Sequence, residues 1–407
     1  MRTAIAMTHS ETPQSEVLSQ PIWESAEHQG NQLTYYVDEG ISPVHQDISD
    51  LKRHFEIRQN LYRMLGLPPG FFKGRRILEM APGSGHNSLY LASREPASLD
   101  LVEPNPTAQR DIRNLYAELT FSHTTPALIS RKLEEFFPDD PYDVAICEGW
   151  LGGNHYELGL LRRLSEMVAV DGVLVFTFMS PIAAGAALLR RLLAQRLTDP
   201  EAGLERNTEV LLEAFSPHLS TLAQMSRFKD HWVQDNLLNP HVYPGLLTPR
   251  WAFDTIGPVF RVMGSVPRII TDWRWYKSLH GDATGDNQRF LDDLDTLSHN
   301  LIDYRMKGTP RETHLNHRLE RLLLDLAKAA HDHEAGGNGP FKKHIAPLLS
   351  EITKNLGDDA PMAARAITEA GQLLAEAVVS TADIADMRDF APLFGRDQCF
   401  LAMTKSG

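Results

Sequence analysis

Cysteine is nearly absent from this chain: 407 residues carry two, Cys147 and Cys399, each inside an apolar run. Two isolated thiols exclude a disulfide scaffold and fit a reducing compartment. Long apolar runs are missing as well, and none approaches the roughly 20 residues that a membrane-spanning helix needs. The opening residues, from Met1 to Glu11, lack the sustained apolar core of a secretion signal, so the expected location is cytoplasmic. Positive charge is in deficit. Forty Lys and Arg face 53 Asp and Glu, a formal net charge of -13, which argues against nucleic acid as the main partner. There is no repeat of fixed period, no Ser/His/Asp arrangement and no G-x-x-x-x-G-K-[ST] phosphate loop. His331-Asp-His-Glu334 is the segment closest to a metal-ligand pattern, but no spaced partner pair accompanies it. It reads as a solvated helix end, and no metal is expected.

What the chain does have is a soluble globular composition, 42% apolar and 23% charged, at a length that fits one large domain with insertions or two domains. Its most informative stretch is Ile77 to Ser88. Ile77 and Leu78 end a short apolar run, Glu79 follows, and Pro82-Gly-Ser-Gly85 forms a tight turn before the helical pattern of Leu89, Tyr90 and Leu91. A strand that breaks at glycines and feeds a helix leaves free backbone N–H groups at the helix start, which suits a nucleotide or another polar ligand. The acid ahead of the glycines is unusual for a plain phosphate site and suits a ligand that also carries positive charge.

Around this turn the chain alternates. Residues 1 to about 34 are polar and aperiodic, and Thr34 to Val37 reads as a short strand. Leu51, Phe55, Leu61, Tyr62 and Leu65 recur at helical spacing until Gly66, Pro68 and Pro69. After the glycine turn, Ser98-Leu-Asp-Leu-Val-Glu103 is a second strand ending in an acid. That acid stands close to the distance of about 20 residues at which dinucleotide folds place a ribose-binding carboxylate. A helix over 106–119, strands over Ala127–Ser130, Tyr142–Cys147 and Gly172–Met179, and a helix over Tyr156–Val168 complete a βαβ series. Five strands alternating with helices predict an α/β fold, a doubly wound and mostly parallel sheet with large helical additions.

The division expected from these patterns has four parts. Residues 1–69 are a tail and leading helix, and 70–281 a core with a helical lid at about 182–250. Residues 282–390 form a helical insertion or C-terminal helical region, in which Leu291, Leu294, Leu297 and Leu301 make one stripe and Leu315, Leu319, Leu322, Leu323 and Leu326 a second. The apolar run within 391–407 is then a last strand returning to the core sheet.

Taken together, these features resemble the S-adenosylmethionine-dependent methyltransferases of the Rossmann-like class. The first family motif stands here as Glu79-Met-Ala-Pro-Gly-Ser-Gly85, with Ala81 where the first glycine commonly sits. Glu103 matches the acid of the second motif, Tyr142-Asp143 the aromatic-Asp pair of the fourth strand, and Asp171-Gly-Val-Leu174 the turn after it. The match covers roughly residues 70 to 180. It implies S-adenosylmethionine as cofactor, with Glu79, Ala81, Gly83, Ser84, Gly85, Asn87, Glu103, Pro104 and Trp150 around it. Within that set the glycines allow close approach, Glu103 accepts from the ribose hydroxyls, and Glu79 faces the amino end. The adenine contact has no counterpart in Ser130-Arg-Lys-Leu-Glu134. A dinucleotide dehydrogenase is the rival for the same residues, because Gly83-x-Gly85-x-x-Ser88 is one substitution from G-x-G-x-x-G.

In the resembled family the loop after the fourth strand lies beside the methyl group, which makes Glu148, Asn154 and His155 the catalytic candidates, with His155 suited to accept a proton near neutral pH. A second aromatic and polar cluster, Asp230-His-Trp-Val-Gln-Asp235 with His241 and Tyr243, has the composition of a substrate pocket. Trp273 and Trp275 read as rings packed against the helical region. The expected activity is methyl transfer to a small polar acceptor, such as O-methylation of a sugar or related metabolite. A protein acceptor docked on the helical region, or a non-catalytic nucleoside-binding protein, are the alternatives.

Overall fold

The computed structural model describes residues 32–149, 155–240, 246, 248–281, 285–334 and 341–407. The tail through residue 31, and with it Trp150, Asn154, His241 and Tyr243, lies outside them, as does the side chain of His155.

Seven strands form one sheet: β1 (Arg76–Met80), β2 (Ser98–Val102), β3 (Ala127–Ile129), β4 (Tyr142–Cys147), β5 (Val168–Phe178), β6 (Phe260–Val266) and β7 (Cys399–Lys405), in the order β3-β2-β1-β4-β5-β7-β6. Strands β1 to β5 are parallel. β7 runs antiparallel to both neighbours, with Cys399 opposite Phe178 on β5 and Phe400 opposite Val266 on β6. The final apolar run therefore does lie in the sheet, and the helices of residues 286–385 fall between the last two strands in chain order. The order matches the doubly wound 3-2-1-4-5-6 pattern with one antiparallel strand inserted, and its topological switch point lies between β1 and β4.

Helices cover both faces, which is why the strands read as continuous apolar runs instead of alternating ones. On one face, Ile77, Leu99 and Val144 pack with Tyr62, Leu65, Tyr90 and Ile112. These come from α2 (Leu51–Met64), α3 (Ser88–Ala92) and α4 (Pro106–Ala117). On the other, Leu78, Met80 and Leu174 join a larger core with α5 (His155–Glu166), α6 (Pro181–Ala194) and α7 (Gly203–Ser220). The short α1 (Gln32–Asp38) precedes α2, and α8 (Lys229–Val233) and α9 (Pro249–Ile256) follow α7. Asp50 starts α2 by accepting the Arg53 amide, and Ser180 starts α6 by accepting the Ile182 amide, ordinary side-chain caps that satisfy free N–H groups.

The helical additions are α10 (Asp286–Leu297), α11 (Thr313–Glu334), α12 (Phe341–Leu356), α13 (Pro361–Leu374) and α14 (Thr381–Ala385). Their apolar stripes bury as the spacing predicts: Leu291 and Leu294 on α10 and Leu319, Leu323 and Leu326 on α11 belong to the main core. Gly185 on α6 makes the approach possible, since a Cβ there would stand 3.0 Å from Leu323.

Two expectations need correction. Thr34 to Val37 lies in a helix, α1, which buries the Tyr35 ring, and among the described residues no strand pairs with this segment. Trp273 and Trp275 do not pack: they are 90% and 67% exposed. Asp272, held by Arg274 and Arg289, pins a loop after β6 that turns both rings outward.

Candidate functional site

The site is built from the carboxyl ends of β1, β2 and β4. Register places Glu79 beside Leu101 on one side and Ile146 on the other, so Glu103 and Glu148, each just past its strand, flank the turn that follows β1. Ala81, Gly83 and Gly85 all take the left-handed backbone, at φ of 51°, 59° and 79°. For glycine this is free; for alanine it costs about 1–2 kcal/mol through the clash of Cβ with the carbonyl oxygen. Ala81→Gly is therefore expected to stabilise the fold by about 0.5–1 kcal/mol after the entropy of the more flexible unfolded chain is subtracted, read as a higher urea midpoint with unchanged slope.

Gly83 and Gly85 also have no room for a side chain. A Cβ on Gly83 would come within 2.7 Å of the Pro43 carbonyl oxygen, and one on Gly85 within 2.9 Å of Ile112. The first contact reveals a strap the sequence did not announce. Residues 41–45 cross the glycine turn: the Ser84 amide donates to Pro43 O at 3.0 Å, Ser84 Oγ to Val44 O at 3.0 Å, and Asn105 Nδ2 to Ile41 O at 2.8 Å. Val44 is itself in the left-handed region, φ 67°, a rare state for a β-branched residue. His45 reaches Asp111 at 3.3 Å and lies 5.2 Å from the ring of His86 and 4.6 Å from that of His231. His86 bonds Ser84 Oγ through Nδ1 at 2.5 Å, and burial, reinforced by the neighbouring histidines, pushes it down to about 4.

Glu103 is 3% exposed, and its two oxygens accept the amides of Gly83 (3.0 Å) and Asn105 (2.9 Å). Burial pushes it up to about 7 against those two bonds. Gln109 Nε2 donates to Glu103 O and to Ser130 Oγ, tying the ends of β2 and β3 together. Pro104 follows Glu103 into the α4 cap at Asn105, which accepts the Thr107 amide.

Glu79 is 2% exposed; the buried Ser88 hydroxyl beside it favours its ionised form, but its Oε2 makes no hydrogen bond of normal geometry among the described residues. Burial, then the charge of Glu148, pushes it up to about 7. An orphaned oxygen on a buried acid costs free energy unless a donor reaches it. The site therefore fits a ligand that presents a donor, preferably a cation, at that point.

Glu148 is engaged. Both its oxygens accept from Arg58, at 2.5 and 3.0 Å, in a pair whose side chains are 11% and 6% exposed. Tyr62 Oη receives Arg58 Nη2 at 2.8 Å, and Asn87 Nδ2 lies 3.5 Å from Glu148. To accept a proton, Glu148 would first have to break this bidentate pair. Arg58 and His54 were missed, although their signal was present: His54, Arg58 and Tyr62 recur every four residues along the face of α2 that packs inward, and all three are buried.

The acidic-aromatic cluster near 230 is largely spent on structure. Trp232 is buried and meets Phe394 edge-on at 6.2 Å, Asp235 pairs with Arg227, and His231 turns toward the strap. His331 and His333 sit in the last turn of α11, and the described residues contain no group of three metal-capable side chains. Among them, too, no helix is long and apolar enough to cross a membrane.

No protein-family model and no curated protein matches the chain. Solved structures do align with part of it. The S-adenosylmethionine-dependent methyltransferase from Mesorhizobium loti aligns at 18% identity and a TM-score of 0.24 over 28% of this chain and 49% of its own, so this chain spans about half the length of that protein. Magnesium protoporphyrin IX methyltransferase from Synechocystis, solved with bound SAM, aligns at 15% identity and a TM-score of 0.29 over 38% and 78%. The N-methyltransferase NodS from Bradyrhizobium japonicum, in complex with S-adenosyl-L-homocysteine, aligns at 17% and 0.28 over 37% and 74%. Scores this low leave the functional reading to rest on the residues of this chain. In its parallel-sheet core, its Glu79-to-Gly85 turn and the acid at Glu103, the chain resembles the S-adenosylmethionine-dependent methyltransferases of the Rossmann-like class.

Proposed function

We propose that this chain binds S-adenosylmethionine at the turn after β1 and transfers its methyl group to a small polar acceptor. The observation that carries the reading is the pair of buried acids around a left-handed glycine turn, with Glu79 Oε2 unpartnered among the described residues. A ligand with hydroxyls at one end and an ammonium at the other satisfies both. Gly83 and Gly85 give the backbone its approach, Glu103 receives ribose hydroxyls on its remaining lone pairs, and Glu79 receives the ammonium. When bound, the cofactor supplies an electrophilic methyl group on a positively charged sulfur. Glu148 works by holding Arg58, and through it α2, against the site. Asn154 and His155, which follow β4 in the sequence, are kept as candidates on the acceptor side. The acidic net charge and the absence of a basic motif favour a small polar acceptor over nucleic acid.

Calorimetry with S-adenosylmethionine, S-adenosylhomocysteine and NAD tests this. Binding of the two sulfur nucleosides is expected. Glu103→Ala should weaken it about 100-fold, the value of two charge-assisted bonds at roughly 1.5 kcal/mol each. NAD binding alone would overturn the reading. The acid at Glu79 adds a pH signature. Its pKa near 7 leaves it largely protonated at pH 6, whereas an ammonium beside it favours the ionised form. Binding at pH 6 should therefore release a proton, visible as an apparent enthalpy that varies with buffer, and affinity should rise from pH 6 to pH 8. Glu79→Gln should reduce both effects, leaving the part contributed by Glu103, which burial also pushes up to about 7.

A further inference from the structure

Between α1 and α2 the chain forms no helix and no strand of the sheet, yet it is tied down on two sides. On one side it lies on the glycine turn. Pro43 O fills the space beside Gly83 and takes the Ser84 amide, Val44 O takes the Ser84 hydroxyl, and Ile41 O takes the Asn105 side chain. On the other side it holds the segment that leads into α8. The Asp47 amide donates to Ser226 O at 2.6 Å, Ser226 Oγ donates to Gln46 Oε1 at 2.6 Å, and Gln46 pairs with Arg227 as an antiparallel bridge. Arg53, in the first turn of α2, adds a bond to Gln224 Oε1 at 3.0 Å. Residues 41–47 therefore join the turn after β1 to the chain ahead of α8. Gly40, at φ 64° with open space around it, stands at one end as a hinge would. Val44 keeps its left-handed backbone only while these contacts hold it.

The two sides meet in a group of imidazoles. His45 of the strap lies 5.2 Å from the ring of His86, next to the glycine turn, and 4.6 Å from the ring of His231 on α8. Charged groups face them from each packed element. Asp111 of α4 is 3.3 Å from His45, with Arg110 3.9 Å from that acid, and Asp230 and Arg227 act on His231 from α8 and the chain before it. From α2, His54 Nε2 meets His86 O at 3.0 Å, with Arg58 one turn further on. Asp111 can hold one proton on His45. A second proton on His231 sets two cations 4.6 Å apart beside Arg227, opposed by Asp230. Burial first, then His45, lowers both His86 and His231 below the usual imidazole range. A histidine depressed in the closed form favours that form above the ordinary imidazole value of about 6.5 and opposes it as pH falls below.

We propose that residues 41–47 are a gate over the cofactor turn, closed in this structure, and that His45, His86 and His231 form its catch, which acid releases. The inference rests on the S-adenosylmethionine reading above for what the gate retains. A nucleoside on the glycine turn is walled in by Pro43 and Val44 while the gate is shut. When His45 and His231 both carry charge, their repulsion parts the strap from α8, and the strap swings about Gly40 away from Ser84. Cofactor exchange is then slow at pH 7.5 and fast at pH 5.5.

Hydrogen exchange on the full chain tests the gate without any ligand. The reporting amides are those of Ser84 and Asp47, which donate to Pro43 O and Ser226 O. Their protection factors are expected to fall about tenfold from pH 7.5 to pH 5.5, while those within β1 stay unchanged. His45→Phe keeps a ring but takes no proton, so it should abolish the fall. His231→Phe, on the other side of the same contact, should do likewise. Unchanged protection at Ser84 and Asp47, the same fall in both variants, or a parallel fall within β1 overturns the gate. Release of bound S-adenosylhomocysteine supplies the second readout. At pH 5.5 the wild type should release it about tenfold faster than His45→Phe, and at pH 7.5 the two rates should match. Comparing the two proteins at one pH cancels the contributions of Glu79 and Glu103, which both share. Equal rates at pH 5.5 overturn the role in exchange. Failure of the wild type to bind S-adenosylhomocysteine overturns the cofactor reading and the gate's cargo with it, while the two amides still decide whether the strap opens.

Discussion

Replacing Arg58 with methionine is expected to destabilise the fold by about 3–5 kcal/mol, the range for removing one partner of a buried ion pair. The guanidinium serves both oxygens of Glu148 and the hydroxyl of Tyr62, and it is the cation nearest the two acids at the end of β1 and β4. Without it, Glu148 and Glu79 face each other across a desolvated space, and one must take up a proton. The pH dependence follows from the sign of that change. Glu79 already has a folded-state pKa of about 7, above its unfolded value, so the folded form binds the proton more tightly and loses stability as pH rises from about 4.5 through 7. Loss of Arg58 pushes the acid higher still. The deficit in urea midpoint should be larger at pH 8 than at pH 6. The double variant Arg58→Met, Glu148→Met should recover most of the loss, because a matched apolar pair carries no uncompensated charge. An equal deficit at both pH values would show that Arg58 acts through packing alone.

The second large effect is expected at Arg190. Its side chain reaches three carbonyls in the segment 390–393 and lies between the rings of Phe390 and Phe394, at 4.7 and 3.8 Å. Each buried carbonyl left without a donor costs about 1–3 kcal/mol, so Arg190→Met should cost about 3–5 kcal/mol in all. Lysine should rescue poorly, since a single ammonium cannot address three divergent carbonyls and stack on a ring. Hydrogen exchange should locate the damage: amides over 388–398 should lose protection while those of β1 and β4 keep theirs. Uniform loss across the sheet would mean that Arg190 supports the whole core and not this turn in particular.

The strands and the glycine turn were legible in the sequence because their signals are local. A run such as Gly172 to Met179 is nearly continuous in apolar residues only when both faces are covered, Glu79 stands at the end of a strand just before the glycines, and Glu103 closes the next strand. Even Ala81, an apparent departure, lies in the backbone state that a glycine would favour. What stayed hidden was set by the tertiary arrangement. Residues 41–45 have no periodicity, so nothing in them names the glycine turn as their resting place. Arg58 lies in an inward stripe, but which carboxylate it meets depends on how α2 sits against β4. Trp273 and Trp275 failed in the opposite sense, since aromatic character predicts burial and two arginines fixing Asp272 turned them out.

The antiparallel strand has a consequence for how the chain reaches its native state. β5 and β6 do not touch each other; each pairs with β7, whose residues come after both by a long stretch of chain. Until that strand arrives, β5 presents an unpaired apolar edge and β6 has no place in the sheet. Closing so distant a contact is slow, because loop entropy must be overcome before the pairing repays it. During synthesis the strands β1 to β5, and the glycine turn among them, are complete long before β7 emerges. The turn at 395–398, which leads into β7, is assembled last. A nascent chain stalled before β7 would then be open to association through the β5 edge, and binding partners that shield such edges would be needed most at that stage.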